Sequence, residues 1–546
     1  IGRGIALRLA RDGFNVALND LPNKDAKLEA VATEIESLGR QACIVPADVT
    51  VDKQVKEMVD EAVTQLGGLD VSTIDGFSCP PLATVESWDH ILSVNARGAY
   101  LCYKYAAIQM IEQGRGGRII GASSIAGKMG FPYESSYTAS KFAIRGLTQA
   151  AAVELGQYGI TVNAYAPGRI QTPMSKLELI SDFSADSYNI DQVFENVPIK
   201  HIGQPEDIAS IASYLASKEA HFITGQFMPL LCLSPAHVAC NVSRSIQNVS
   251  SSLHHVRCAS LRRIITFMSI SKGIALITGS AQGIGRGIAL RLARDGFNIA
   301  LNDLPNKDAK LEAVATEIES LGRQACIVPA DVTVNKQVKE MVDDTVTKLG
   351  GLDVMVANAG VVEFASLVSS TVESWDRTLS VNARGAYLCY KYAAIQMIEQ
   401  GRGGRIIGAS SIAGKMGFPY ESSYTASKFA IRGLTQAAAV ELGQYGITVN
   451  AYAPGRIQTP MMVYVGEQSA MTNFTQILNT CFLHNLDKLM ENVPIKHIGQ
   501  PEDIASIVSY LASKEAHFIT GQFMPLLCLF SAHVACDVSR SMCRSI

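Results

Sequence analysis

Residues 275–285 read Ala-Leu-Ile-Thr-Gly-Ser-Ala-Gln-Gly-Ile-Gly, an apolar run that enters a glycine-rich turn and leaves it into an amphipathic stretch. Glycines at such a place permit a tight turn and let main-chain N–H groups approach a pyrophosphate at the helix N-terminus, where the macrodipole also favours an anion. Downstream, short Val/Ile/Ala-rich runs at 298–302, 325–329 and 352–357 alternate with amphipathic stretches that begin at Gly285, Lys307 and Lys336. Repeated β-α-β of this kind predicts an α/β fold, with a parallel sheet covered by helices on both faces.

The same text occurs earlier in the chain, incompletely. Residues 287–331 repeat residues 4–48 with numbers differing by 283, as Asp20 and Asp303 do. Two globular units are therefore expected: copy 1 over 1–231, which lacks the first strand and the glycine turn, and copy 2 over 269–527. Between them lies a linker at 232–268, and an irregular tail follows at 528–546. Where copy 2 reads Leu352-Asp-Val-Met-Val-Ala-Asn-Ala-Gly360, copy 1 reads Leu69-Asp-Val-Ser-Thr-Ile-Asp-Gly-Phe77, and from there corresponding numbers differ by 287, as in Asn95 and Asn382. Copy 1 has lost four residues at this point. The copies diverge again at 175–194 and 462–490, and once more after Gln226 and Gln522.

Composition bounds the partners. A length of 546 residues with 48% hydrophobic and 18% charged residues suits two domains with sizeable cores. A net charge of −3 with scattered basic residues offers no footprint for nucleic acid or an acidic membrane, and no apolar run is long enough to span a bilayer. Twelve cysteines without a Cys-x-x-Cys pair argue for reduced thiols in a cytoplasmic protein, and against a disulfide framework or a structural metal site. The opening Ile1-Gly-Arg-Gly, lacking a methionine, reads as a truncated start.

Two constellations carry chemistry. The first is the turn, with Thr278, Gly279, Gln282, Gly283, Ile284 and Gly285, together with Asp303 eighteen residues beyond Gly285 at the end of the second strand. A carboxylate there can accept both ribose hydroxyls of NAD and would repel the 2′-phosphate of NADP; the plainer alternative is a solvated strand-end Asp. The second is Tyr424 and Lys428, which share one face of a helix, with Ser411 thirteen residues before Tyr424 at the end of an apolar strand and Asn382 upstream in Ser-Val-Asn-Ala-Arg-Gly. The combination is far more specific than any one member.

On these residues copy 2 resembles the short-chain dehydrogenase/reductase family over essentially its whole length. The match adds Asp331 after the third strand, Asn358-Ala359-Gly360, and Pro454-Gly455 with Thr459. Residues 427–436 and 445–452 are most similar to diacetyl/acetoin reductases. The resemblance implies a Rossmann-like doubly wound parallel sheet in two tandem copies and an NAD-dependent oxidoreductase acting on a small carbonyl or alcohol substrate. Tyr424 would exchange a proton with the carbonyl oxygen, and Ser411 would hydrogen-bond that oxygen. Lys428 would hold the ribose and favour the phenolate together with a cationic nicotinamide, and Asn382 would hold a relay water. Asp331 would contact the adenine, Asn358, Ala359 and Gly360 would support the cofactor, and Ile457 with Thr459 would contact the nicotinamide amide.

Copy 1 keeps Asn95, Ser124, Tyr137 and Lys141 but has nowhere to hold a dinucleotide, so it is expected to be inert. After Gln522, where the family usually has a strand followed by Val-Asp-Gly-Gly, the chain continues Phe523-Met-Pro-Leu-Leu-Cys-Leu-Phe. The two long helices expected at 94–113 and 137–158 have near-identical partners at 381–400 and 424–445. An intramolecular pseudo-dimer is therefore expected, with higher homo-oligomers left open. Two rival readings remain: a 3-oxoacyl carrier-protein reductase, against which Asp303 counts because that class usually takes NADP, and a non-catalytic scaffold.

Overall fold

The computed structural model of the chain describes residues 1–74, 84–168, 170–172, 203–221, 223–229, 271–455, 457–461, 498–517 and 519–526. The expected linker at 232–268, the divergent segments 175–194 and 462–490, and the tail at 528–546 lie outside them.

Among the described residues, copy 1 contributes β1 (Val16–Leu18), β2 (Ala42–Ile44), β3 (Val71–Ile74), β4 (Gly117–Ala122), β5 (Ile160–Ala166) and β6 (Phe227–Pro229). Copy 2 contributes, among the described residues, seven strands: β7 (Ile274–Thr278), β8 (Asn298–Asn302), β9 (Ala325–Ile327), β10 (Val354–Ala357), β11 (Gly404–Ala409), β12 (Ile447–Pro454) and β13 (Phe523–Leu526). In copy 2 all seven pair in parallel in the order β13-β12-β11-β10-β7-β8-β9. The chain lays β7, β8 and β9 outward to one side, then crosses back to place β10 on the other side of β7. A doubly wound sheet opens a crevice at such a reversal, beyond the C-terminal ends of its strands. Here those ends are Thr278 and Ala357.

Every residue of β7 is buried, as a strand covered on both faces must be. Among the described residues of copy 1, β1 pairs with β2, and β3-β4-β5-β6 form a separate four-stranded sheet. The exposed flank follows directly: Val354, Met355, Val356 and Ala357 are buried in β10, whereas in the corresponding β3 Thr73 is exposed and Val71, Ser72 and Ile74 are half-buried. The unusual sequence after Gln522 nevertheless completes the sheet, since Phe523 to Leu526 pair with Ala451 to Pro454.

The copies meet along the helices Ser135–Leu155 and Ser422–Leu442. Glycine lets them close: a Cβ on Gly146 would lie 2.7 Å from the Phe429 ring, and one on Gly433 would lie 2.7 Å from the Phe142 ring. Trp88 stacks on Tyr387 with centroids 4.1 Å apart, and Trp375 stacks on Tyr100 at 4.2 Å. Arg97 pairs with Asp376 at 2.8 Å, and Arg384 pairs with Asp89.

Candidate active site

The glycine turn of copy 2 leaves β7 and enters the helix Gly283–Asp295. Gly279 and Gly283 stand at φ +66° and +56°, in the left-handed region that favours glycine. At Gly285 a Cβ would sit 2.1 Å from the Gly279 carbonyl oxygen and 2.7 Å from the Asn358 amide nitrogen, so the turn folds back on its own helix with no room for a side chain. Asn358 staples the turn from the neighbouring strand end. Its Nδ2 donates to the carbonyls of Thr278 (2.8 Å) and Gly279 (3.3 Å), while Thr278 Oγ1 accepts from the amides of Asn358 and Ala359, both at 3.0 Å. The Tyr452 hydroxyl donates to Asn358 Oδ1 at 2.7 Å and fixes the amide's orientation.

Asp303 lies one residue beyond β8 with its carboxylate turned toward this turn, accepting from the Ala281 amide at 3.2 Å and the Leu304 amide at 2.9 Å. Gln282 caps the helix and accepts from Lys310 at 2.9 Å. Asp331 holds its own loop by accepting from the Thr333 amide and hydroxyl, both at 2.8 Å. Pro454 ends β12, and Gly455 follows it. Ile457 bridges to Gly499. The Thr459 methyl lies 3.5 Å from the point where a Cβ of Gly283 would be, at the rim of the turn. Thr278 to Gly285, Asp303 and Asn358, the residues expected to hold a dinucleotide, thus come together around one turn.

The second constellation closes on the same crevice from the other side. A Cβ on Gly360 would lie 3.2 Å from Asn382 Oδ1 and 3.3 Å from Lys428 Nζ, so Gly360 sits between these two side chains. Asn382 occupies a π-helical turn, Ser380–Arg384, a local widening that often accompanies function. Its side chain exchanges hydrogen bonds with the Val361 main chain (2.8 and 2.9 Å) and donates to Ser427 Oγ at 3.0 Å. Ser411 starts a short 3₁₀ turn, its Oγ accepting from the Ala413 amide at 3.1 Å. Lys428 donates to the Ala409 carbonyl at 2.9 Å, with Nζ 5.3 Å from the Tyr424 ring centroid.

Burial dominates the electrostatics of the site. It pushes the Tyr424 phenol up, the nearby Glu421 adds to this, and Ser411 only partly opposes them. Burial also lowers Lys428 to about 7, because the site strips water from the ammonium without an anion beside it. Glu421, one turn before Tyr424 and buried, is itself pushed up to about 8. Sequence reading missed Glu421 and Tyr452. Both flank recognised motifs, but only their burial and partners single them out.

Copy 1 reproduces the second constellation: Asn95 donates to Ser140 at 3.0 Å, Lys141 to the Ala122 carbonyl at 3.0 Å, and Ser124 accepts from the Ala126 amide at 3.1 Å.

Residues 1–230 and 279–526 each match the protein-family model described as enoyl-(acyl carrier protein) reductase. The short-chain dehydrogenase/reductase eriH of Hericium erinaceus is 50% identical over 254 residues, which are 46% of this chain and 95% of that protein. An L-2,3-butanediol dehydrogenase of Corynebacterium glutamicum is 40% identical over 251 residues, covering 46% of this chain and 95% of its own length. A 3-oxoacyl-(acyl-carrier-protein) reductase FabG of Staphylococcus epidermidis is likewise 40% identical, over 248 residues that are 45% of this chain and 94% of that protein. Each span is about the length of one copy. Among the described residues, no helix is long and apolar enough to cross a membrane.

Proposed function

The chain belongs to the short-chain dehydrogenase/reductase family and is an oxidoreductase, and we propose that its second copy is an NAD-dependent carbonyl reductase/alcohol dehydrogenase acting on a small ketone or hydroxy ketone. The observation that carries this reading is the convergence, in the crevice beside Thr278 and Ala357, of the glycine turn, the Asp303 carboxylate and the group Asn382, Ser411, Tyr424 and Lys428. Asp303 faces the turn where a ribose would lie, which favours NAD over NADP. The nicotinamide, when bound, supplies or accepts the hydride.

The chain's own residues then manage the oxygen and its proton. Tyr424 gives a proton to the carbonyl oxygen in reduction and takes it back in oxidation, while Ser411 holds the same oxygen. Lys428, poised near neutrality, gains its charge readily where an anion or a ribose hydroxyl approaches, and that charge favours the phenolate. The Asn382 side chain is committed to Val361 and Ser427, so holding a relay water falls to its main chain. The two curated relatives at 40% identity differ in substrate class, and the choice of a small ketone rests on the sequence resemblance to diacetyl/acetoin reductases together with Asp303. Copy 1 is proposed to be inert, and the two copies to form an intramolecular pseudo-dimer.

NADH oxidation measured against a panel of carbonyls tests the activity. Tyr424→Phe should lower turnover by about 10²- to 10⁴-fold, the usual worth of a general acid, with NADH binding retained. Residual turnover close to wild type would remove Tyr424 from its role. Asp303→Ala should narrow the NADH-over-NADPH ratio of kcat/KM, and a wild-type preference for NADPH would overturn the cofactor assignment.

A further inference from the structure

Copy 1 reaches into copy 2 through one buried carboxylate. Glu154, on the helix Ser135–Leu155, is 4% exposed. Its Oε1 accepts from the Leu367 amide at 2.6 Å and its Oε2 from the Tyr420 amide at 3.4 Å. These amides belong to the two segments that frame the candidate active site. Leu367 lies on the loop that leaves Gly360, whose Val361 is tied to Asn382. Tyr420 lies just before the helix that carries Tyr424. The segments also touch each other, since the Ala365 amide donates to the Tyr420 carbonyl at 3.0 Å and Ala365 bridges to Glu421. Tyr420 stands at φ +62°, a conformation that a non-glycine residue holds only when its surroundings impose it.

We propose that Glu154, supplied by copy 1, is a positioning residue for the active site of copy 2, clamping the loop after Gly360 to the approach of the Tyr424 helix. Burial pushes its carboxyl up, the two amide bonds partly oppose this, and the group ends at about 7. The mirror residue Glu441 is half-buried and accepts from the Tyr133 amide.

The kinetic arm of the test rests on the carbonyl-reductase reading, whereas the exchange arm does not. In the full chain, amide hydrogen exchange at Leu367 and Tyr420 should quicken in Glu154→Ala and remain as wild type in Glu441→Ala. With NADH and diacetyl, Glu154→Ala should raise KM for diacetyl about tenfold while the NADH Kd stays within about twofold, since the cofactor cradle is held by other residues. Should the alanine variant fail to fold, the isosteric Glu154→Gln must still quicken exchange at one of the two amides. Unchanged exchange and KM in the Glu154 variants, or equal effects from Glu154 and Glu441, would overturn the proposal. If the wild-type chain reduces no carbonyl, the functional reading fails and exchange alone decides the clamp.

Discussion

Tyr424 is surrounded by groups whose protonation is set by burial rather than by their intrinsic chemistry. Glu421 matters most here, because its charge raises the phenol it sits beside and its own carboxyl is held up to about 8. Above that pH the carboxylate is ionised and opposes the phenolate. Glu421→Gln removes the negative charge, so the phenol pKa falls, and the pH limb of kcat/KM for alcohol oxidation, which needs the ionised phenol, should move to lower pH. A limb that stays in place or moves upward would show that Glu421 does not act on Tyr424. Of this site, Tyr424, Lys428, Ser411 and Asn382 were legible as a pattern of spacings. Glu421 was not, since nothing in a sequence marks which of its acids will be sealed from water.

The turn between β7 and its helix makes its demand on the main chain rather than on a side chain. Gly285 passes so close to the Gly279 carbonyl that even a methyl group overlaps it. Gly285→Ala should force the turn open at a cost of about 1–3 kcal/mol, the usual price of overpacking, and weaken NADH binding roughly tenfold or more. Calorimetric titration of the variant checks this, and unaltered affinity would mean that the turn does not hold the pyrophosphate. The sequence pattern located this turn, with Thr278 and Asn358 on either side. The staple from Asn358, itself oriented by Tyr452, came only from the pairing of β7 with β10 and β10 with β11, which brings distant segments side by side.

Across the whole chain, residues 1–231 carry two separate sheets among the described residues, while the helices Gly98–Gln113 and Ser135–Leu155 pair with copy 2. Residues 269–527 expressed alone should carry the activity, and residues 1–231 alone should neither bind NADH nor turn over. The isolated second half is expected to self-associate through the same helix face, because Gly433 and Phe429 there are matched by Gly146 and Phe142 in copy 1. In that pair Glu441 would stand where Glu154 stands. Isothermal titration and light scattering on each half decide this, and tight NADH binding by the first half would show the missing turn to be dispensable.

Periodicity and glycine placement were enough to establish the α/β class, the tandem repetition, and the two constellations in copy 2, because strands, turns and i, i+4 faces are properties of neighbouring residues. The division of the sheet in copy 1, and its effect on burial down to Thr73 in β3, needed the neighbours in space. The formation of β13 from an unfamiliar sequence, the raised phenol of Tyr424 and the reach of Glu154 to Leu367 and Tyr420 depended on tertiary structure alone. Each depends on which surfaces exclude water and which distant amides they bring within hydrogen-bonding distance, and those facts exist only once the chain has folded.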